Sequence, residues 1–172
     1  MLRTRSLGRR VVLAAVAAPV VVLGGTLGTA TATATPGDIA EGLGSAAGTE
    51  GLDPLLALAY TMAADAARAE GVPLSITSGY RTPAEQQAMW DDGVATYGSP
   101  EEARRWVLPP GESTHVTGQA IDVGPQAGAQ WLEANGNRWG LCRTFLNEWW
   151  HFELVGLPGL PCPAMLPDAS AR

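Results

Sequence analysis

The stretch Ser113–Val123, STHVTGQAIDV, determines how this chain is organised. It holds one of only two histidines among the 172 residues, His115, and an aspartate seven positions further on, Asp122. The other histidine, His151, lies in the segment NEWWHFE, three positions after Glu148. A chain that uses histidine so sparingly, and sets each copy near a carboxylate, is typical of proteins in which these side chains perform chemistry.

The spacing of these residues suits a hydrolytic zinc site, which needs three nitrogen or oxygen ligands and one open position. His115 and Asp122 are too far apart for one helical turn, but they suit a loop that runs into a strand, with Gly118 allowing a tight turn between them. We therefore predict that Zn²⁺ is bound by His115, Asp122 and His151. Glu148 is then close enough to take a proton from the attacking water. Taken singly, each side chain is more typical of an ordinary hydrogen-bonded or solvated residue, so the prediction depends on the joint pattern.

The first part of the chain predicts export. Within residues 1–34, four arginines precede the apolar run Val11–Leu23, which leads to small-residue cleavage sites near Ala34. The pair Arg9-Arg10 also fits twin-arginine export, and an uncleaved membrane anchor is the alternative. In either case we expect the domain to lie outside the cytoplasmic membrane, secreted or associated with the cell envelope.

Composition limits the remaining possibilities. Apolar residues make up 46% and charged residues 16%, which is typical of a globular domain, and the length suits a single one. Beyond the predicted signal there are seven arginines and no lysine against 17 acidic residues, a formal charge of about −10. This charge disfavours nucleic-acid binding, which needs clustered basic residues. We expect a monomer.

Two cysteines, Cys142 and Cys162, lie in the part predicted to be exported. An even count in an oxidising compartment predicts one disulfide, which would tie the tail to the segment before His151. The alternative is a pair of zinc thiolates. No CxxC spacing supports that alternative.

Caps and periodicity predict alternating helices and short strands between a linker at residues 35–51 and a Pro-rich, irregular tail at residues 157–172. Order is expected to begin near Leu52, and Asp91-Asp92-Gly93 is expected to break the second helix at about Trp90. The predicted elements are a helix over Pro54–Ala69, a strand over Pro73–Ser78, a helix from Pro83 to Trp90, a short helix from Pro100, a strand over Ala120–Val123, a helix over Ala129–Asn135 and a strand over Trp149–Val155.

Three motifs in this order carry a family resemblance. SxHxxGxAxD is matched in full by Ser113–Asp122, SGYR by Ser78–Arg81 with Gln86 five positions on, and ExxH by Glu148 and His151. Together they resemble the zinc D-alanyl-D-alanine carboxypeptidases of the VanY type, whose family also includes D-Ala-D-Ala dipeptidases and phage endopeptidases. The similarity covers about Leu52–Val155, so residues 52–156 are expected to form a zinc peptidase domain.

The resemblance implies a small α+β fold, shared with hedgehog signalling domains, in which helices pack on a compact antiparallel sheet that carries the zinc. It implies that Arg81 contacts substrate and stabilises the tetrahedral intermediate, in keeping with the chemistry of a permanent cation. It also implies that the peptide-binding cleft is lined by Ser78, Gln86 and Ser113, and it gives the three ligands and Glu148 the roles stated above.

The function implied is removal of C-terminal D-alanine from peptidoglycan stem peptides by an exported enzyme. Three alternatives remain open, one of which is a structural cell-envelope protein whose His and Asp residues merely pack. The same chemistry could act on another bond, as in an L,D-carboxypeptidase or an endopeptidase. The domain could instead be a zinc-stabilised binding module without turnover, as the hedgehog relatives illustrate, although such a module has no need of a base at Glu148.

Overall fold

The computed structural model describes residues 45–172. The predicted signal at residues 1–34 and most of the predicted linker lie outside the described residues. Within the described range, none of the helices combines the length and the apolar character that a membrane span requires.

The first helix, α1, spans Pro54–Ala69 and begins as its sequence predicts. The carboxylate of Asp53 accepts hydrogen bonds from the backbone N–H groups of Leu55 and Leu56 at 2.9 and 3.3 Å, which caps the helix at its N-terminus. One face of α1 is buried against the sheet. The residues on that face are Leu56, Ala59, Tyr60, Ala63 and Ala67.

Four short strands form one antiparallel sheet in the order β1-β2-β4-β3. They are β1 Ser75–Ser78, β2 Ala120–Gly124, β3 Leu141–Arg143 and β4 His151–Leu154. A helix, Gln126–Asn135, follows β2 and packs against the sheet beside α1, and a 3₁₀ turn, Gly136–Trp139, leads into β3. The core between helices and sheet includes Leu56, Tyr60, Ile121, Val123, Leu132 and Phe152. This is the predicted architecture of helices on a compact antiparallel sheet.

The register of the sheet positions the candidate site. Asp122 on β2 stands opposite His151 on β4, and on its other side Asp122 stands opposite Ser78 on β1. Three neighbouring strands therefore present these residues in one row at the same end of the sheet. Because opposite residues of antiparallel strands project to the same face, their side chains share one side of the sheet.

The second helix, α2, continues through Asp91-Asp92-Gly93, so the break predicted there is wrong. It runs over Pro83–Tyr97 and ends only at Gly98, whose φ of 85° is the left-handed conformation that favours glycine. Gly93 lies inside the helix because Val107 packs against it: a Cβ on Gly93 would be 2.4 Å from Val107 Cγ1. The glycine is required for close packing, so it does not mark the end of the helix.

The other short elements differ from their predictions at the edges. Helix α3 spans only Pro100–Ala103, and α4, the helix Gln126–Asn135 described above, begins three residues before the predicted Ala129. Strand β4 begins at His151, since Trp149 and Trp150 lie in a turn. Strand β3 was not predicted, because three residues are too few for a periodic pattern.

Residues 45–51 and the tail are more ordered than their composition predicts. In the segment predicted as linker, the backbone N–H of Ala46 donates to Thr61 Oγ1 at 3.1 Å, and Thr49 is buried. The tail is not without structure: Leu166 forms a parallel bridge with Phe145, and a 3₁₀ turn spans Ala169–Ala171. These contacts are between residues distant in the sequence, so local patterns do not report them.

Candidate metal centre and active site

The three predicted ligands come together in a tight, buried triangle. Asp122 Oδ1 lies 3.4 Å from His115 Nε2 and 3.2 Å from His151 Nδ1, and the two ring nitrogens are 3.3 Å apart. The exposed fractions of His115, Asp122 and His151 are 4%, 8% and 4%. A tetrahedral zinc ion with bonds of about 2.0–2.1 Å has ligand atoms separated by about 3.3–3.4 Å. The triangle therefore fits such an ion.

The outer atoms of the ligands are held by hydrogen bonds. His115 donates from Nδ1 to the carbonyl of Gly79 at 2.8 Å, which leaves a lone pair on Nε2 directed into the triangle. His151 Nε2 lies 2.7 Å from Glu153 Oε1, which likewise directs Nδ1 inwards. Outer partners of this kind set the tautomer and the orientation of metal-binding histidines.

The loop 113–119 delivers His115 because Gly118 permits a close approach of two backbones. Gly118 has a φ of 70°, and a Cβ there would be 2.6 Å from the carbonyl oxygen of Gly51. The carbonyl of His115 accepts hydrogen bonds from the N–H groups of Gly118 and Arg81, both at 3.2 Å. The predicted tight turn between the two ligands is thus part of the packing against the segment that precedes α1.

The charges at the site favour an added cation. Burial by itself lowers the pKa of His151, but hydrogen bonds to the carboxylates of Asp122 and Glu153 outweigh it and raise that pKa to about 9. Burial raises the pKa of Asp122, yet His115 and His151 outweigh it and hold that pKa well below its usual range. A proton supplies the positive charge in the metal-free protein, and a bound metal ion would replace it.

Glu148 lies beside the triangle without belonging to it. Its Oε2 is 3.8 Å from His151 Nδ1, and the residue is 5% exposed. Burial raises the pKa of Glu148 to about 7, with His151 opposing that rise and Asp122 adding to it. A carboxylate with a pKa near neutrality accepts and releases protons readily at neutral pH, which is what a general base requires.

Arg81 is fixed at the wall of the same cavity by three hydrogen bonds. Its Nη2 donates to Asp122 Oδ2 at 2.6 Å, its Nε to Ser78 Oγ at 2.9 Å and its Nη1 to Gln86 Oε1 at 3.2 Å. Asp122 therefore turns one oxygen to the triangle and the other to Arg81. The guanidinium is a rigid cation next to the ligands.

Of the three residues predicted to line the peptide cleft, two line the cavity and one does not. Ser113 is 7% exposed and lines the cavity, whose volume is about 190 Å³. Gln86 also lines it, but its amide is engaged on both sides, because Nε2 donates to the carbonyl of Leu108 at 2.7 Å while Oε1 accepts from Arg81. Ser78 is not among the cavity-lining residues of the described chain. In this geometry Ser78 and Gln86 hold Arg81, and their contact with substrate stays a prediction.

The sequence profile of the D-alanyl-D-alanine carboxypeptidase (VanY) family matches residues 49–157, which is more than half of the chain. The chain belongs to this family. The predicted family is thereby confirmed.

Similar proteins agree with this assignment. A D-alanyl-D-alanine carboxypeptidase of Enterococcus faecalis is 35% identical over 54% of this chain, and the match covers 44% of that relative, so the chain spans less than half of its length. Two structures of VanY from vancomycin resistance, one with Zn(II) and one with D-alanine-D-alanine, each share 32% identity with a TM-score of 0.57; they cover 61% of this chain and 73% and 72% of their own. The L,D-carboxypeptidase LdcB shares 28% identity with a TM-score of 0.54, over 61% of this chain and 59% of its own. These neighbours confirm the predicted fold.

Two residues that support this VanY-family site, Glu153 and Arg143, were not predicted from the sequence. Glu153 holds His151, and the period of two along β4 places both residues on one face, a signal that could have identified it. Arg143 holds the loop that carries Glu148, donating from Nε to the Glu148 carbonyl at 3.1 Å and from Nη2 to the Leu146 carbonyl at 2.7 Å. No local pattern marks Arg143, because its partners are backbone carbonyls.

The two cysteines form a disulfide in the structure. Cys142 on β3 is bonded to Cys162 in the tail, with Cα atoms 5.7 Å apart. Within residues 45–172, the group of side chains that could hold a metal contains neither cysteine. The alternative of zinc thiolates therefore has no support in this geometry.

Proposed function

We propose that this VanY-family domain is an exported zinc carboxypeptidase that removes C-terminal D-alanine from peptidoglycan stem peptides. The observation that carries the proposal is the buried triangle of His115, Asp122 and His151 with the carboxylate of Glu148 3.8 Å from His151 Nδ1. Three ligands and an adjacent free base are the composition of a hydrolytic zinc site.

The ligand set fits Zn²⁺ by its chemistry and its spacing. Two imidazole nitrogens and one carboxylate oxygen are typical zinc ligands, and the VanY neighbour that binds Zn(II) has the same fold. When bound, zinc supplies Lewis acidity, which lowers the pKa of a water molecule and polarises a carbonyl oxygen.

The chain's own side chains provide the proton transfer and the charge stabilisation. Glu148 accepts a proton on its carboxylate as water attacks the peptide carbonyl, and it then donates that proton to the leaving amine. Arg81, fixed by Asp122, Ser78 and Gln86, presents a permanent positive charge towards the oxygen that becomes negative. Because these bonds are already in place, little reorganisation is needed during the reaction.

Two observations support the proposed substrate and location. The neighbouring VanYB is described in complex with D-alanine-D-alanine, the end of an uncleaved stem peptide. Residues 1–34 have the composition of an export signal, and a disulfide is typical of exported proteins. An exported monomer could reach peptidoglycan directly.

The test compares the wild type with Glu148→Ala on a pentapeptide stem that ends in D-Ala-D-Ala, with and without a chelator. The wild type is expected to release D-alanine and to lose activity with the chelator, and Glu148→Ala is expected to lose about 10²–10⁴-fold in kcat while retaining zinc. Glu101→Ala, an exposed site on α3, is the matched control and should behave as wild type. Equal activity of Glu148→Ala and wild type would show that the base is misassigned, and purified protein without stoichiometric zinc would contradict the proposal as a whole.

The similarity to LdcB favours a second reading of the bond that is cut. An L,D-carboxypeptidase would act on the tetrapeptide stem, so the same assay is run on both peptides. Cleavage of the tetrapeptide alone would replace the D,D assignment with the L,D one. Zinc binding without any turnover would leave the binding module as the remaining interpretation.

A further inference from the structure

The tail contributes residues to the catalytic cavity although it lies outside the family match. The match ends at residue 157, yet Ala169 and Arg172 both line the cavity that contains Arg81, Glu148 and the ligand triangle. The family resemblance therefore says nothing about this wall. Its chemistry has to be inferred from the residues of this chain.

Contacts at several points hold the tail in place. The N–H of Leu166 donates to the carbonyl of Thr144, and the N–H of Leu146 donates to the carbonyl of Leu166, both at 2.9 Å. Arg105 Nε donates to Asp168 Oδ2 at 3.1 Å, and Ala169 packs with a buried cluster that includes Phe145. Together with the Cys142–Cys162 disulfide, these contacts give Arg172 a defined position.

Arg172 brings an additional cation to the cavity with most of its donors unused. Its Nη2 donates to Glu153 Oε1, and its guanidinium lies 5.3 Å from the centre of the Phe145 ring. An arginine has five N–H donors, and among residues 45–172 the structure records a hydrogen bond from this one group only. The side chain is 27% exposed and lines the cavity.

Arg81 has fewer donors to offer, because three of its five N–H groups are bonded to Ser78, Gln86 and Asp122, and the proposed function assigns its charge to the oxyanion. A guanidinium with free N–H groups matches the geometry of a carboxylate, which it binds through paired charge-assisted hydrogen bonds. A peptide with a free C-terminus presents such a carboxylate, and acidic side chains present others.

We propose that Arg172 is a specificity-determining residue that binds a carboxylate of the peptide substrate. The proposal rests on the peptidase function proposed above. It assigns to the tail a direct role in choosing substrates, in addition to its packing against the loop that carries Glu148.

The experiment measures kcat/KM for wild type and Arg172→Met on three versions of the pentapeptide: the free acid, the C-terminal amide and a peptide in which only the internal acidic side chain is amidated. Wild type should prefer the free acid over one of the amides, and Arg172→Met should reduce that preference about tenfold or more, through KM, because a hydrogen bond to a charged group is lost. The amide that wild type disfavours identifies the carboxylate. Arg172→Lys, which keeps the charge but not the paired geometry, should restore part of the preference.

Two controls separate recognition from support of the fold. Arg68→Gln removes an exposed arginine on α1 that does not line this cavity, and it should leave the preference as in wild type. Zinc content and kcat of Arg172→Met should stay within about threefold of wild type, since the interaction concerns binding. An unchanged preference in Arg172→Met, an equal fall in Arg68→Gln, or loss of zinc together with kcat would overturn the assignment. Cleavage by wild type in any of these cases leaves the proposed function standing, whereas no cleavage of any peptide by wild type would overturn both.

Discussion

At the scale of single residues, the site concentrates ionisable groups where water hardly reaches them. Asp122, Glu148, His151 and Glu153 are each less than a tenth exposed. Their pKa values move in different directions because only some of them bond to a histidine. Histidines lower the pKa values of Asp122 and Glu153, whereas Glu148 has no comparable hydrogen bond within residues 45–172 and burial raises its pKa. One cluster therefore contains both the candidate metal ligands and a carboxyl group that titrates near neutrality.

This environment predicts a specific pH dependence of the metal-free protein. The carboxyl of Glu148 has a folded-state pKa of about 7, against 4.5 for an ordinary glutamate. Between those two pH values the unfolded chain has lost this proton while the folded chain keeps it, so the free energy of unfolding falls as pH rises, by about 2–3 kcal/mol for this group. In Glu148→Gln this fall should be absent.

Urea unfolding in the presence of a chelator at pH 4.5, 5.5 and 7 checks this prediction. His151, whose pKa is raised from 6.5 to about 9, begins to lose its stabilising contribution near pH 6.5, and because wild type and Glu148→Gln both retain His151, this loss is common to the two proteins. Parallel pH profiles of wild type and Glu148→Gln between pH 4.5 and 7 would mean that burial does not raise the pKa of this carboxyl.

At the scale of elements, helix starts depend on local caps, whereas the positions of the site residues depend on strand register. Helix starts were predictable because caps are local: Asp53 before α1 and the Thr82–Glu85 capping box before α2 act within one turn. The alignment of Ser78, Asp122 and His151 in one row could not be predicted from local patterns, because it depends on strand register. The end of α2 was predicted wrongly, since Gly93 serves packing against Val107.

A substitution at Gly93 tests this explanation of α2. Alanine has the higher helix propensity, by about 1 kcal/mol, so local reasoning predicts that Gly93→Ala stabilises the protein. The clash of its Cβ with Val107 predicts the opposite, a loss of about 1–3 kcal/mol in the free energy of unfolding. Chemical denaturation distinguishes the two signs.

Gly111→Ala is the matched control, because nothing lies within 4 Å of a Cβ at that position and its φ is not in the left-handed region. Its free energy of unfolding should stay close to that of wild type. Stabilisation by Gly93→Ala would show that the contact between α2 and Val107 is looser than described.

At the scale of the whole molecule, the tail joins parts of the chain that are far apart in sequence. The Cys142–Cys162 disulfide fixes it to β3, Leu166 pairs with the loop before Glu148, and Arg172 reaches Glu153 behind His151. The cavity is thus enclosed from both sides, by the motif-bearing strands and by a segment that carries none of the motifs.

Removal of the disulfide should affect both stability and activity. The double substitution Cys142→Ser with Cys162→Ser frees a loop of sequence separation 20. The expected loss is about 3 kcal/mol in the free energy of unfolding. Because the tail forms part of the cavity wall, kcat/KM on the pentapeptide should fall as well, while zinc content is retained. Thermal unfolding, metal analysis and the peptide assay measure the three quantities, and unchanged kcat/KM at a temperature where the variant is folded would show that the tail is dispensable for turnover.

The sequence by itself determined which residues form the chemical set and which family they belong to, because SxHxxGxAxD, SGYR and ExxH are contiguous patterns of residue type and spacing. It also determined the starts of α1, α2 and α3, since their capping is a local interaction. Only the tertiary structure decided how Arg81 is held, that Glu153 and Arg143 support the site, and that Arg172 enters the cavity. These contacts join residues far apart in the chain. They are stabilised by burial and by hydrogen bonds that exist only in the folded domain, so no local pattern of sequence predicts them.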